Sequence, residues 1–161
     1  MHAKKNTLQK IKKNPNVVFI YADDLVGLTD WLTTFADMVG EELFNNVGED
    51  SKSILALLKG EKLNNPVWES IIHHTASGKF AIRKNEWVYI DHHTGAESRE
   101  PDWFKEERNV QAHSFPGELY NLKSDPQQTT NLYEQFPEKV DEMKKLLIEQ
   151  KKGGRSVAIR N

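Results

Sequence analysis

Two adjacent carboxylates are the residues best suited to chemistry. Asp23 and Asp24 directly follow a short apolar run, and hard oxygen donors of this kind suit calcium or magnesium. A buried strand of a parallel sheet would present them at its carboxyl edge, where ligands bind. The alternative is a pair of solvated turn carboxylates that favour the N-terminus of a following helix. Calcium takes roughly six to eight oxygens, so two carboxylates alone predict weak binding or none.

Histidines occur in two adjacent pairs, His73-His74 and His92-His93. Imidazole suits zinc and other transition metals. Because neighbouring residues on a strand point to opposite faces, at most one histidine of each pair can serve a given site. The chain has no cysteine and no glutamate at zinc-protease spacing, so surface or groove positions are favoured over metal ligands.

Four tryptophans offer aromatic faces on which a sugar ring can stack. Trp31, Trp68 and Trp87 fall inside or beside predicted elements, which favours core packing. Trp103 instead lies in a mixed-charge stretch that is typical of a solvated loop.

The composition sets limits on partners and on catalytic chemistry. At 161 residues and 37% hydrophobic content, one ordinary domain with a core is expected. With 22 Lys+Arg against 24 Asp+Glu, the net charge of −2 indicates neither a nucleic-acid nor a membrane-facing surface. The absence of cysteine excludes disulfides, thiolate metal sites and thiol nucleophiles. The lysine pairs at 144–145 and 151–152 are explained by the dipole of the last helix.

The N-terminus is basic, like the first part of a signal peptide. The apolar run that follows, Val17 to Ala22, is shorter than a signal-peptide core and ends in two aspartates. We therefore predict neither a signal peptide nor a transmembrane helix, and the compartment stays undetermined.

The elements that must position these residues follow from hydrophobic periodicity. The run Val17 to Ala22 predicts a buried strand. Residues 29–39 and 53–59 predict two helices, the first amphipathic with Leu32, Phe35, Ala36 and Val39 at helical spacing. Strands are predicted at 71–75, 79–84, 87–91 and 118–122, with a long surface loop at 92–115. A last helix begins at Pro137, and the tail 155–161 is expected to fray.

Three stretches resemble the type I sulfatases, whose fold is that of the alkaline phosphatases. Residues 14–24, Asn-Pro-Asn-Val-Val-Phe-Ile-Tyr-Ala-Asp-Asp, resemble that family's opening strand. Residues 29–37 with 53–60 resemble a helical region that lies far downstream in full-length members. Residues 118–126 with 130–132 resemble the closing signature before the last helix.

The resemblance implies a metal, a substrate class and an architecture. It implies that Asp23 and Asp24 bind a divalent cation, usually calcium, and that the parent substrates are aryl sulfates or sulfated carbohydrates. Family members are often periplasmic, secreted or lysosomal. We expect an α+β unit, with a small antiparallel sheet and helices on one face, as a remnant of the α/β sulfatase fold. The predicted parts are an N-terminal tail and opening strand at 1–27, a C-terminal subdomain at 28–154, and a tail.

The chain departs from the family where the chemistry should be. Full-length members carry a Cys-or-Ser-x-Pro-x-Arg motif whose first residue becomes formylglycine. The nearest candidate, beginning at Ser114, ends in Glu118 instead of Arg. The two family segments meet around residues 25–28, which we interpret as an internal deletion. The prediction is a sulfuric ester hydrolase relative with no catalytic residues. The alternative is a non-catalytic module that binds sulfated glycans or a partner protein.

Overall fold

The structure is a computed structural model that describes residues 26–94 and 113–159, together with Trp103, Glu106 and Glu107. The predicted opening strand at Val17 to Ala22 lies outside these residues. In chain order the elements are α1 (Asp30–Val39), α2 (Leu55–Leu58), β1 (Ile71–His74), β2 (Phe80–Lys84), β3 (Trp87–Ile90), β4 (Glu118–Asn121) and α3 (Pro137–Gly153). No helix among the described residues is long and apolar enough to cross a membrane.

The four strands form one antiparallel sheet in the order β1-β2-β3-β4. The turn between β1 and β2 contains Gly78, with a φ of 84°, and the turn between β2 and β3 contains Asn85, with a φ of 54°. Both residue types tolerate positive φ. This confirms the predicted α+β class and the predicted closing role of the strand at 118–122.

The core lies between the sheet and α3. Its sheet side is one row of cross-strand neighbours, because Ile72 pairs with Ile82, Ile82 with Tyr89, and Tyr89 with Leu119. From α3, the side chains of Val140, Met143 and Leu147 cover this row. Full burial of one such side chain contributes roughly 1.5–3 kcal/mol. The last helix predicted to begin at Pro137 is confirmed, and Val140, Met143 and Leu147 form its buried stripe.

Asn131 fixes the closing segment against β4. Its side-chain oxygen accepts the backbone N–H of Leu119 at 3.0 Å and that of Tyr133 at 3.0 Å. Just before β4, Gly117 is required, because a Cβ there would lie 2.9 Å from the carbonyl oxygen of Ile90. The segment that resembles the family's closing signature is therefore fixed against β4 by specific contacts.

Two predictions are wrong, one for the loop at 92–115 and one for the C-terminal tail. Trp103, Glu106 and Glu107 are helical, although 92–115 was expected to be irregular. The tail is held instead of frayed at its start, because the backbone N–H of Ser156 and that of Val157 donate to the carbonyl of Glu49.

Candidate functional site

A buried carboxylate organises the region where the described chain begins. The Asp30 side chain is fully buried, and three N–H donors satisfy it. They come from the backbone of Gly27, the backbone of Lys52 and the indole of Trp68, each at 2.9 Å. A buried charge is tolerated only when it is hydrogen-bonded in this way. Asp30 therefore joins α1 to the segment before β1.

Two threonines of α1 extend this polar contact. The Thr34 hydroxyl donates to the carbonyl of Asp30 at 2.7 Å and accepts the backbone N–H of Ile54 at 3.1 Å. The Thr33 hydroxyl and that of Ser51 lie 2.6 Å apart. The face of α1 that the fold buries is thus largely polar.

A groove of about 450 Å³ opens beside this network, between β1 and the end of α3. We call it the β1–α3 groove. Its aromatic walls are Trp68 and Phe80, and its cationic or titratable lining residues are His74, Lys151 and Arg155. Trp68 is oriented by its bond to Asp30, and the ammonium of Lys52 lies 4.3 Å from its ring centroid. The groove therefore combines rigid aromatic surface with basic groups.

The basic groups of the groove differ in the ion pairs and hydrogen bonds that they make with the rest of the protein. The Lys151 ammonium lies 3.6 Å from the centroid of Phe80, and among the described residues it has no carboxylate partner. Arg155 is 3.4 Å from a carboxylate oxygen of Glu49 and also donates to two backbone carbonyls. The one acidic lining residue, Asp50, accepts the backbone N–H of Ser156 at 2.7 Å. Lys151 is thus the cation best placed to meet an anionic ligand.

The predicted metal pair, Asp23 and Asp24, lies outside the described residues. Gly27, which lines the β1–α3 groove, is three residues beyond Asp24. Within the described ranges, no three His, Asp or Glu side chains cluster closely enough to hold a metal ion. Calcium binding by the two aspartates stays a prediction.

The two histidine pairs have different geometries. His73 and His74 lie on β1, and the His74 ring contacts Phe80 at 5.6 Å. His92 and His93 follow the end of β3, and their rings lie 4.2 Å apart. The expectation that strand alternation separates the two side chains is therefore wrong for this second pair.

The tryptophans and Ser114 also have defined surroundings. Trp31, Trp68 and Trp87 are half-buried, and Trp103 is exposed. Of the first three, Trp87 packs against the main core, whereas Trp68 lines the groove. Ser114 is exposed.

A histidine–glutamate pair was missed in the sequence. His113 Nε2 lies 3.1 Å from a carboxylate oxygen of Glu118, and the His113 ring stacks on Phe115 at 5.5 Å. The other ring nitrogen of His113 is buried with no hydrogen-bond partner among the described residues. The spacing of the two residues in the sequence does not predict this pair. The contact depends on how the segment before β4 places His113 next to Glu118. Glu118 is the residue that stands where a sulfatase motif begun at Ser114 would need arginine.

Tyr89 is held in its neutral form. Burial raises the pKa of its hydroxyl, and a 2.8 Å hydrogen bond to the carboxylate of Asp91 raises that pKa further. A phenol in this state donates a hydrogen bond and does not act as a base near neutral pH.

This chain is similar to several solved structures in its fold. No family model and no curated protein matches the sequence. Among solved structures, one match is a Bacteroides thetaiotaomicron protein described with the metabolism of multiple glycosaminoglycans. Its TM-score is 0.57 at 29% identity, and the match covers 76% of this chain and 24% of that one. The chain has a sulfatase-like fold.

Two further sulfatase-like matches agree in fold. One is a protein in complex with its substrate D-glucosamine-2-N,6-O-disulfate, with a TM-score of 0.51, 19% identity, and coverage of 76% of this chain and 23% of that one. The other is a 2-O glycosaminoglycan sulfatase, with a TM-score of 0.51, 19% identity, and coverage of 81% and 26%. This sulfatase-like chain spans about a quarter of the length of the structures that it matches. The predicted resemblance and fold class are confirmed.

Proposed function

We propose that this chain is a sulfatase-family protein whose parent activity is sulfuric ester hydrolysis and that it does not itself turn over sulfate esters. The sulfatase-like fold, at 29% identity to one solved structure, supports the descent. The absence of cysteine and the Glu118 that ends the Ser114 motif support the loss of activity.

The proposed loss of activity follows from what sulfatase chemistry requires. In the family that this chain resembles, a hydrated formylglycine supplies the nucleophile that attacks sulfur, with a cation and basic residues stabilising the sulfate oxygens. Here the motif that begins at Ser114 ends in Glu118 instead of arginine, and the carboxylate of Glu118 lies 3.1 Å from Nε2 of His113. Asp23 and Asp24 would remain as the only members of the parent site.

Hydrolysis of 4-nitrocatechol sulfate tests this proposal. We expect the rate with added calcium or magnesium to equal that of the protein-free blank. Asp23→Ala is the informative variant, and Asp37→Ala, at an exposed position on α1, is the matched control. Turnover above the blank that Asp23→Ala abolishes and Asp37→Ala preserves would overturn the proposal.

A second candidate function is the binding of sulfated glycans in the β1–α3 groove. Lys151 is a cation without a carboxylate partner among the described residues, and it lies beside half-buried aromatic rings. Cationic groups bind sulfate oxygens by charge-assisted hydrogen bonds, and an aromatic face suits a sugar ring. A structure of similar fold holds D-glucosamine-2-N,6-O-disulfate as its substrate. For this chain, a glycan of that kind is the proposed ligand.

Heparin titration at low salt distinguishes this candidate from an inert fold. We expect heparin to raise the melting temperature of the full chain and Lys151→Ala to remove at least half of the rise. Lys144→Ala, at an exposed position on the same helix, is the matched control and should retain the rise. Equal losses in both variants would indicate non-specific attraction, and no rise in the parent chain would reject the candidate.

A further inference from the structure

The β1–α3 groove contains one histidine among its lining residues. This residue, His74, is the last residue of β1, and its side chain is exposed. Its cross-strand partner on β2 is Phe80, and the centroids of the two rings lie 5.6 Å apart. The two strands therefore place an imidazole beside an aromatic wall of the groove.

The pairing of β1 with β2 fixes the side of the sheet on which His74 lies. His74 is two residues beyond Ile72, and Phe80 is two residues before Ile82. Because side chains alternate along a strand, both rings extend the row of Ile72 and Ile82 on the side that α3 covers. Near the end of α3, the ammonium of Lys151 lies 3.6 Å from the centroid of Phe80. His74 and Lys151 thus contact the same aromatic ring.

The contact between His74 and Thr75 determines what the imidazole offers to a ligand. Nδ1 of His74 lies 3.2 Å from the carbonyl oxygen of Thr75. A carbonyl oxygen only accepts, so we assign the proton of the neutral ring to Nδ1. The other nitrogen, Nε2, then carries a lone pair in the neutral ring and a proton in the imidazolium. Protonation therefore converts Nε2 from an acceptor into a donor.

A sulfate group would meet these two forms of His74 differently. Sulfate oxygens are acceptors, so they repel a lone pair on Nε2, whereas an imidazolium donates a charge-assisted hydrogen bond to them. Histidine is the side chain whose charge ordinarily changes between pH 5 and 8. Since coupling between two ligands is reciprocal, a proton that is favoured by bound sulfate also favours the binding of sulfate. The affinity of the groove for a sulfated ligand should therefore rise as the pH falls.

Among the described residues, three other charged side chains line the groove with His74. They are Lys151 from α3, Arg155 from the segment that follows α3, and Asp50 from the segment before α2. Arg155 lies 3.4 Å from a carboxylate oxygen of Glu49, and Asp50 accepts a backbone N–H at 2.7 Å. Aspartate, lysine and arginine ordinarily change charge outside the range of pH 5 to 8. Histidine is thus the residue type of this lining that can make binding depend on pH near neutrality.

We propose that His74 is a pH-dependent contact for a sulfate group of a glycan bound in the β1–α3 groove. The protonated ring and Lys151 together hold the sulfate group near Phe80, whereas the neutral ring opposes it. This inference rests on the proposed glycan binding and adds the regulation of that site. The groove binds the sulfated glycan at mildly acidic pH and releases it as the pH rises.

Isothermal titration calorimetry with a heparin hexasaccharide, at pH 5.5 and pH 7.5 and constant ionic strength, tests the proposal. We expect the full chain to bind about tenfold more tightly at pH 5.5, which is the effect of a coupling equal to one pKa unit. His74→Gln should bind with nearly equal affinity at the two pH values. His73→Gln is the matched control, because His73 is exposed and adjacent on β1 but points to the opposite face. This control should keep the tenfold difference.

Proton uptake is a readout that a purely structural role of His74 would not change. Titration at pH 6.5 in two buffers of different ionisation enthalpy measures the protons taken up with the hexasaccharide. His73→Gln should match the parent chain, and His74→Gln should take up fewer protons. Binding that depends on Lys151 but keeps its pH dependence and proton uptake in His74→Gln would overturn this inference and leave the glycan-binding candidate standing. No binding by the parent chain at either pH would overturn both.

A second variant covers the case in which His74→Gln fails to fold. His74→Lys places a permanent cation at this position, so at pH 7.5 it should bind about as tightly as the parent chain does at pH 5.5. His73→Lys adds the same charge on the other face of the sheet and should gain less. Equal gains in both lysine variants, or no gain in folded His74→Lys, would contradict the proposal.

Discussion

At the scale of single residues, Asp125 shows how a carboxylate stabilises the turn after β4. Burial acts to raise its pKa, but hydrogen bonds from the backbone of Thr130 and Thr129 and from the Thr129 hydroxyl hold that pKa below its ordinary value near 3.8. Both backbone N–H groups lie 2.8 Å from a carboxylate oxygen. The ionised form is therefore preferred in the folded chain.

This preference predicts a pH dependence of stability. Because the folded pKa is depressed, the contribution of Asp125 is present above its unfolded pKa and is lost as the pH falls through the folded pKa. Asp125→Asn should lower the free energy of unfolding by about 1 kcal/mol at pH 7, and the difference from the parent should shrink below pH 4. Urea denaturation at pH 7 and at pH 3 measures this, with Asp37→Asn as the control. A difference that stays constant between the two pH values would contradict the assignment.

At the scale of elements, the hairpin strands and α3 could be predicted because their signals are local. Alternation, turn residues and the stripe from Val140 to Leu147 all lie within one element or between chain neighbours. Helix α1 was also located correctly, ending where Gly40 adopts positive φ. Its buried face was not predictable, because the partners of Asp30 lie 22 and 38 residues away at Lys52 and Trp68. An amphipathic pattern predicts that a helix forms, but it does not predict which side of the helix is buried in the fold.

The polar attachment of α1 makes a prediction at the same scale. Asp30→Ala leaves three N–H donors without their acceptor in a buried site, so the free energy of unfolding should fall by about 3 kcal/mol. Asp37→Ala, seven residues along the same helix and exposed, should change it by less than about 0.5 kcal/mol. Chemical denaturation of both variants gives the comparison. Similar values for the two would show that Asp30 does not fasten the helix.

At the scale of the whole molecule, the family resemblance predicted the sulfatase-like fold, whereas the candidate site was predicted only in part. The closing signature could be recognised in the sequence because its residues have specific structural roles. The side chains of Asp125 and Asn131, for example, each accept a hydrogen bond from a backbone N–H group. The assembly of the β1–α3 groove depends on tertiary contacts that no spacing encodes, and the pairing of His113 with Glu118 depends on the local path of the chain into β4. Asp23 and Asp24 lie outside the described residues, and their metal role stays a prediction.

We propose that this sulfatase-like fold does not turn over sulfate esters. The most direct measurement is the release of free sulfate from 4-nitrocatechol sulfate and from D-glucosamine-2-N,6-O-disulfate, with calcium present and a heat-denatured sample as the blank. We expect rates equal to the blank for both substrates. Sulfate release that scales with protein concentration and disappears in Asp23→Ala would contradict it.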